Sequence, residues 1–196
     1  RLMYWQVYLH KAVLSAEFSL VEVLKRAKFL VQNGHDLFAT SAFKQFLKNN
    51  YSLEDFNSNE KLLDLFCQLD DFDIMTSIKE WMNYDDKVLS LLSKKIIQRK
   101  LLKIELQDQP FEESYVQSIR TKVEETYKLN SSESQHLVFS NNIKNTAYNP
   151  KKDKINLLYK EGTIVDISEA ADQLNISVLA KTVTKYFLCY PKECVH

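Results

Sequence analysis

Residues 2–33, LMYWQVYLHKAVLSAEFSLVEVLKRAKFLVQN, contain neither proline nor glycine, and Asn33-Gly34 follows as a helix-ending pair. Trp5, Leu9, Ala12, Val13, Ala16, Leu20, Leu24, Ala27 and Val31 recur at helical spacing. Val7, Leu14, Phe18 and Val21 form a second apolar stripe beside the first. One stripe suffices for a surface helix, so two imply burial against partners on more than one side. At ~1.5 Å per residue, such a helix would run about 45 Å and act as the spine of a domain.

The rest of the chain changes character part-way. Up to Arg99 the pattern predicts short helices. Thr40 or Ser41, Ser58 or Asn59, Asp70 or Asp71, and Asp85 or Asp86 supply N-caps before apolar runs at three- and four-residue spacing. The helix starting at Ser58 or Asn59 would turn Leu62, Leu63, Leu65, Phe66 and Leu69 inward, while YSLEDFNSNE before it reads as a polar connection. From Leu101 onward, LLKIELQ, HLVFSN, INLLYK with TIVDI, and KYFLCYP read as strands. Amphipathic helices are expected over residues 112–128 and 168–183, and a polar loop over NNIKNTAYNPKKD. The order β-α-β-β-α-β predicts a ferredoxin-like α+β unit at 100–196, following an all-helical subdomain at 1–99 built on the long first helix.

Composition excludes several classes. Twenty-six basic and twenty-six acidic residues cancel, which argues against a general nucleic-acid or membrane-surface binder. No apolar run reaches the length of a membrane span. Three cysteines without a CxxC do not make a disulfide framework, and Cys67, in a helical apolar pattern, reads as a buried thiol. The compartment expected is reducing and cytoplasmic. With two glycines in the chain, neither a P-loop nor a dinucleotide fingerprint can form. The four histidines, His10, His35, His136 and His196, have no metal-ligand spacing, and the dipeptide His35-Asp36 reads as a polar helix exit. The acidic clusters fall at helix starts, where carboxylates complement the dipole. The chain opens on Arg1 within the apparent helix, so it reads as a piece of something longer.

MYWQVYLHKAVLSAEFSLVEVLKRAK resembles the long helix that follows the catalytic core of HD-superfamily phosphohydrolases, the deoxynucleoside triphosphate triphosphohydrolases of the bacterial branch above all. Tyr8-x-His10-Lys11 is its most specific part, and a weaker likeness runs through SKKIIQRKLLK. The resemblance implies that the four His and Asp metal ligands of the H…HD…D pattern lie upstream. This fragment would then hold no catalytic residue, no metal and no cofactor of its own, the divalent metal belonging to that missing core. It implies that Tyr8, with Tyr4 one turn away on the same face, helps wall the deoxyribose of a dNTP. It further implies that His10-Lys11, and Lys94 or Lys95, meet the phosphates of a regulatory nucleotide at a subunit interface. The partners expected are the chain's own upstream core and further copies of itself. The rival reading is a nonenzymatic module for self-association, or for a protein or single-stranded nucleic-acid partner. In that reading residues 144–154 or the sheet aromatics would carry the contact. The basic aromatic motif of RNA-recognition sheets is absent, so nucleic acid is the less favoured partner.

Overall fold

A computed structural model describes residues 7, 9–145, 155–167 and 183–195. The first helix, α1 (Lys11–Gln32), is shorter than its sequence predicts. His10 stands in an extended conformation (φ −63°, ψ 139°), and its ring Nδ1 accepts the backbone N–H of Ala12 at 3.2 Å. A side chain that caps the first turn marks a start, so at about 33 Å the helix begins here instead of running through. Residues 2–6 and Tyr8, also expected in this helix, lie outside the described residues. At the other end Asn33 is the C-cap and Gly34 takes φ +90°, as the Asn-Gly pair predicts.

Five short helices follow: α2 (Ser41–Lys48), α3 (Leu53–Ser58), α4 (Glu60–Phe66), α5 (Asp71–Trp81) and α6 (Lys87–Ile97). Their starts are chemically legible. Asp70 and Asp73 form a reciprocal capping box at α5, and Asp86 accepts the N–H of Leu89 at α6. Helix α3 lies in the stretch expected to be a connection, and its Ser52–Asp55 capping box explains why it folds. The inward set expected of α4 is corrected too. Only Leu62 is buried, while Leu63 and Phe66 are half exposed and Cys67 is exposed in the C-cap position. A helix of two turns buries one narrow face, and the rest of its leucines stay outside.

The second half supplies β1 (Lys103–Gln107), α7 (Glu113–Tyr127), α8 (Ser131–Ser134), β2 (Phe139–Asn145), β3 (Asn156–Leu158), β4 (Ile164–Asp166) and β5 (Val183–Tyr190), then a 3-10 turn at Lys192–Cys194. The expected α+β class is what the structure has. The ferredoxin-like strand order is not. β1 and β2 are both antiparallel to β5, which lies between them in the order β1-β5-β2. The β1-α7-α8-β2 crossover thus leaves a gap, as a split β-α-β should, but the last strand fills it, not the third. Among the described residues, β3 and β4 pair with each other in a separate two-stranded sheet.

Burial explains the choice. A central strand covered on both faces needs a continuous apolar run, and Phe187, Leu188, Cys189 and Tyr190 are all fully buried. The end of β5 is therefore covered on both faces. In β3, by contrast, Asn156, Leu157 and Leu158 are all exposed. Strand β2 also continues through Asn141–Asn145, residues whose turn-forming composition predicts a loop; pairing with β5 out to Val183 overrides that local preference. The helix expected over 168–183 lies outside the described residues up to 182.

The core is continuous. It joins Leu14, Val23, Ala27 and Leu30 of α1, Trp81 of α5, Leu89 and Leu92 of α6, Ile119 and Val123 of α7, and the buried run of β5. Phe18 of α1 packs on Phe187 of β5 with ring centroids 4.3 Å apart. Helix α1 therefore binds the helical half and the sheet together.

Candidate functional site: the ends and the polar face of helix α1

Helices α1 and α6 run antiparallel. The Ser15 hydroxyl near the start of α1 donates to the carbonyl of Leu102, just beyond α6, at 2.7 Å. Near the other end, Arg26 meets Asp86, the N-cap of α6. This brings the start of α1, with His10 and Lys11, to the same end of the pair as Lys94 and Lys95 in the last turn of α6. Small side chains permit the close approach: Ser19 on α1 and Ser93 on α6 are both fully buried.

At that shared end the basic residues differ sharply in availability. His10 and Lys11 are exposed. Lys94 is exposed and, with Lys87, Leu91 and Tyr127, lines a shallow cavity of about 260 Å³. Lys95 is instead buried, its Nζ donating to Glu193 Oε1 at 2.5 Å. The Tyr127 hydroxyl donates to the same oxygen, also at 2.5 Å. Burial alone would push the Glu193 carboxyl up, but these two donors outweigh it and hold it at about 2. Lys95 is thus occupied in fastening the C-terminal turn to α6 and α7, whereas Lys94 and Lys11 have charges turned to solvent. Tyr4 and Tyr8 lie outside the described residues.

The inward face of α1 holds what sequence reasoning missed. Ser15, Ser19, Glu22 and Arg26 are buried at successive spacings of four, three and four, a polar stripe beside the apolar one. Arg26 makes a two-pronged contact with Asp86, Nε to Oδ1 at 3.1 Å and Nη2 to Oδ2 at 2.6 Å, and its Nη2 lies 3.7 Å from Glu133. Desolvation opposes the Asp86 charge, but the Arg26 hydrogen bond and the Leu89 amide leave its pKa below the ordinary value. Glu22 accepts from Lys25 at 2.7 Å and from His136 at 2.8 Å. Burial again acts against its ionisation, and His136 and Lys25 again prevail, so its pKa too is lowered. A carboxylate held ionised needs a donor, which places the proton of the His136 imidazole on Nδ1. The signal was in the sequence, a run of polar residues at heptad-like spacing, but its partners Asp86, Glu133 and His136 are 60 to 114 residues away.

His35 and Asp36 do not converge. His35 Nδ1 pairs with the Tyr84 hydroxyl at 3.0 Å, and Asp36 accepts from Lys44 at 2.6 Å.

No family model matches the chain. It is 27% identical to the uncharacterised protein YwfO of Bacillus subtilis (strain 168) over 198 residues, which cover 98% of this chain and 43% of YwfO. The crystal structure of a phosphohydrolase from Bacteroides thetaiotaomicron VPI-5482 is 43% identical and superposes with a TM-score of 0.85, over 97% of this chain and 47% of that one. The chain has a phosphohydrolase-like fold. It spans about half the length of each of these two relatives. Among the described residues no helix is long and apolar enough to cross a membrane.

Proposed function

We propose that this chain is the C-terminal accessory region of a metal-dependent HD-type dNTP triphosphohydrolase, which cleaves a dNTP to deoxynucleoside and triphosphate. The observation that carries this reading is the match to the Bacteroides phosphohydrolase, near-complete over this chain and about half of its partner. The upstream half would then hold the divalent metal, which activates water and polarises the α-phosphate. The present chain contributes a pocket wall through Tyr8 and Tyr4. It contributes phosphate contacts for a regulatory nucleotide through Lys11 and Lys94, with His10 setting the start of the helix that carries Lys11. Lysine suits this task as a compact charge on a long stem. Lys95 is the weaker member of the proposed set, because Glu193 already neutralises it.

The test is triphosphate release from each of the four dNTPs with added divalent metal, comparing this chain with a form extended upstream through an H…HD…D segment. The expected result is activity in the extended form alone, lowered by Tyr8→Ala and no longer raised by nucleotide after Lys11→Ala. An extended form that binds metal yet releases no triphosphate from any dNTP would overturn the dNTP assignment.

A further inference from the structure

A cleft of about 420 Å³ opens between α1, α7 and the start of β2, on the polar face of α1 and away from the Lys11–Lys94 end. Its lining includes Glu22 and Lys25 from α1, Arg120 from α7, and Gln135, His136 and Ser140 from the approach to β2. We propose that this cleft binds a phosphate-sized oxyanion, held by Lys25 and Arg120 with Ser140 and Gln135 as neutral donors.

The charge balance favours an anion. Glu22 is the one carboxylate among the lining residues, and each of its oxygens already accepts a hydrogen bond, one from Lys25 and one from His136. Against it stand two fixed cations, Lys25 and Arg120, so the lining carries an excess positive charge. The Lys25 side chain remains 61% exposed while bound to Glu22, and an ammonium has three donors, so it retains capacity for a ligand.

Arg120 is the less satisfied cation. Its Nη1 reaches Gln117 at 3.3 Å, and its Nε is buried with no hydrogen-bond partner among the described residues. A guanidinium cannot shed its charge to relieve this, and its planar fork matches the oxygen spacing of a phosphate. A metal ion is disfavoured by the same inventory, since a single carboxylate already paired twice offers no ligand set. The donors come from three separate elements held by the common core, so the site is assembled by the fold and not by a local sequence motif.

This inference does not depend on the phosphohydrolase reading, because it is tested by binding and not by turnover. Inorganic phosphate, and separately glycerol phosphate, would be titrated into the chain at low ionic strength, following backbone amide shifts by NMR. The expected result is saturable one-to-one binding with shifts centred on residues 22–25, 117–120 and 135–140. Arg120→Gln and Lys25→Gln should each weaken it at least tenfold, and Lys79→Gln, an exposed lysine on α5, by less than twofold. A preference for glycerol phosphate would assign the site to an esterified phosphate, and equal or better binding of the free ion to phosphate itself. If Arg120→Gln perturbs folding, the exposed Lys25→Gln still decides. Shifts that do not saturate, or equal weakening by Lys79→Gln, would overturn the proposal.

Discussion

Arg26 on the polar face of α1 pairs with Asp86, 60 residues away, and both side chains are nearly buried. Removing one member of such a pair strands the other charge in a poor solvent, which typically costs about 3–5 kcal/mol. Asp86→Asn is the informative change, because asparagine is also a good N-cap and preserves the α6 start. Glu133, 3.7 Å from Arg26, can take up part of the stranded charge, so the expected loss is about 3 kcal/mol by urea denaturation. The double variant Arg26→Met/Asp86→Asn should recover part of it, since no buried guanidinium is then stranded and Glu133, partly exposed, keeps the Asn130 amide as a donor. A loss equal to the sum of the single changes would show that the two residues do not act as a pair.

The same residues predict the acid response. Glu22, Asp86 and Glu193 all have folded-state pKa values below their ordinary ones. A carboxyl depressed by folding stabilises the protein at pH values above its unfolded pKa, and that stabilisation is lost as pH falls through the folded value. For Glu193 the window lies between the ordinary 4.5 and about 2. The urea midpoint should therefore hold steady from pH 7 to about 5 and decline below it. Glu193→Gln should make the decline shallower, although screening at this half-exposed carboxylate reduces the effect. An unchanged acid slope would mean that the Lys95–Tyr127–Glu193 cluster forms no net stabilising contact.

At the scale of elements, helix ends show how far local chemistry reaches. Gly34 takes the left-handed conformation after α1, which its lack of a Cβ allows. Helix α7 ends instead on Lys128, in the same region at φ 52°. A residue with a Cβ is strained there, by roughly 1 kcal/mol. Lys128→Gly should raise stability by at most about 0.5 kcal/mol, because the greater freedom glycine has in the unfolded chain offsets part of the relieved strain. Thermal or urea unfolding would read this, and a net loss would mean that the lysine side chain makes a contact outweighing the strain. Caps of this kind were readable in advance at Asn33-Gly34, Asp70 and Asp86, because each acts within four residues of itself. Ser52 before α3 carried the same signal, but a polar, asparagine-rich surrounding masked it.

For the whole molecule, exposed apolar surface bears on the proposed self-association. Phe72 is 80% exposed and Leu53 76%, and Leu63 and Phe66 show about half of their surface on α4. Phe66 continues inward through an aromatic cluster with Phe46 and Phe56. If these exposed side chains join copies of the chain, Phe72→Lys with Leu63→Lys should lower the assembly state in sedimentation velocity while leaving the helical circular dichroism unchanged. A protein of identical mass distribution before and after the change would place the contact elsewhere.

What the sequence determined by itself was local: the helical identity of α1, the aspartate caps and the α+β class. These follow from periodicity, capping and side-chain order, which act over a few residues. The tertiary structure decided what depends on distant neighbours. It made His10 the start of α1 and set β5 between β1 and β2. It also turned Lys95 inward to Glu193, and folded Glu22 and Arg26 against partners 60 to 114 residues away. The physical reason is the same in each case. Competition for burial selects the strand that tolerates two covered faces. A charge taken out of water must also find its counter-charge wherever the fold brings one.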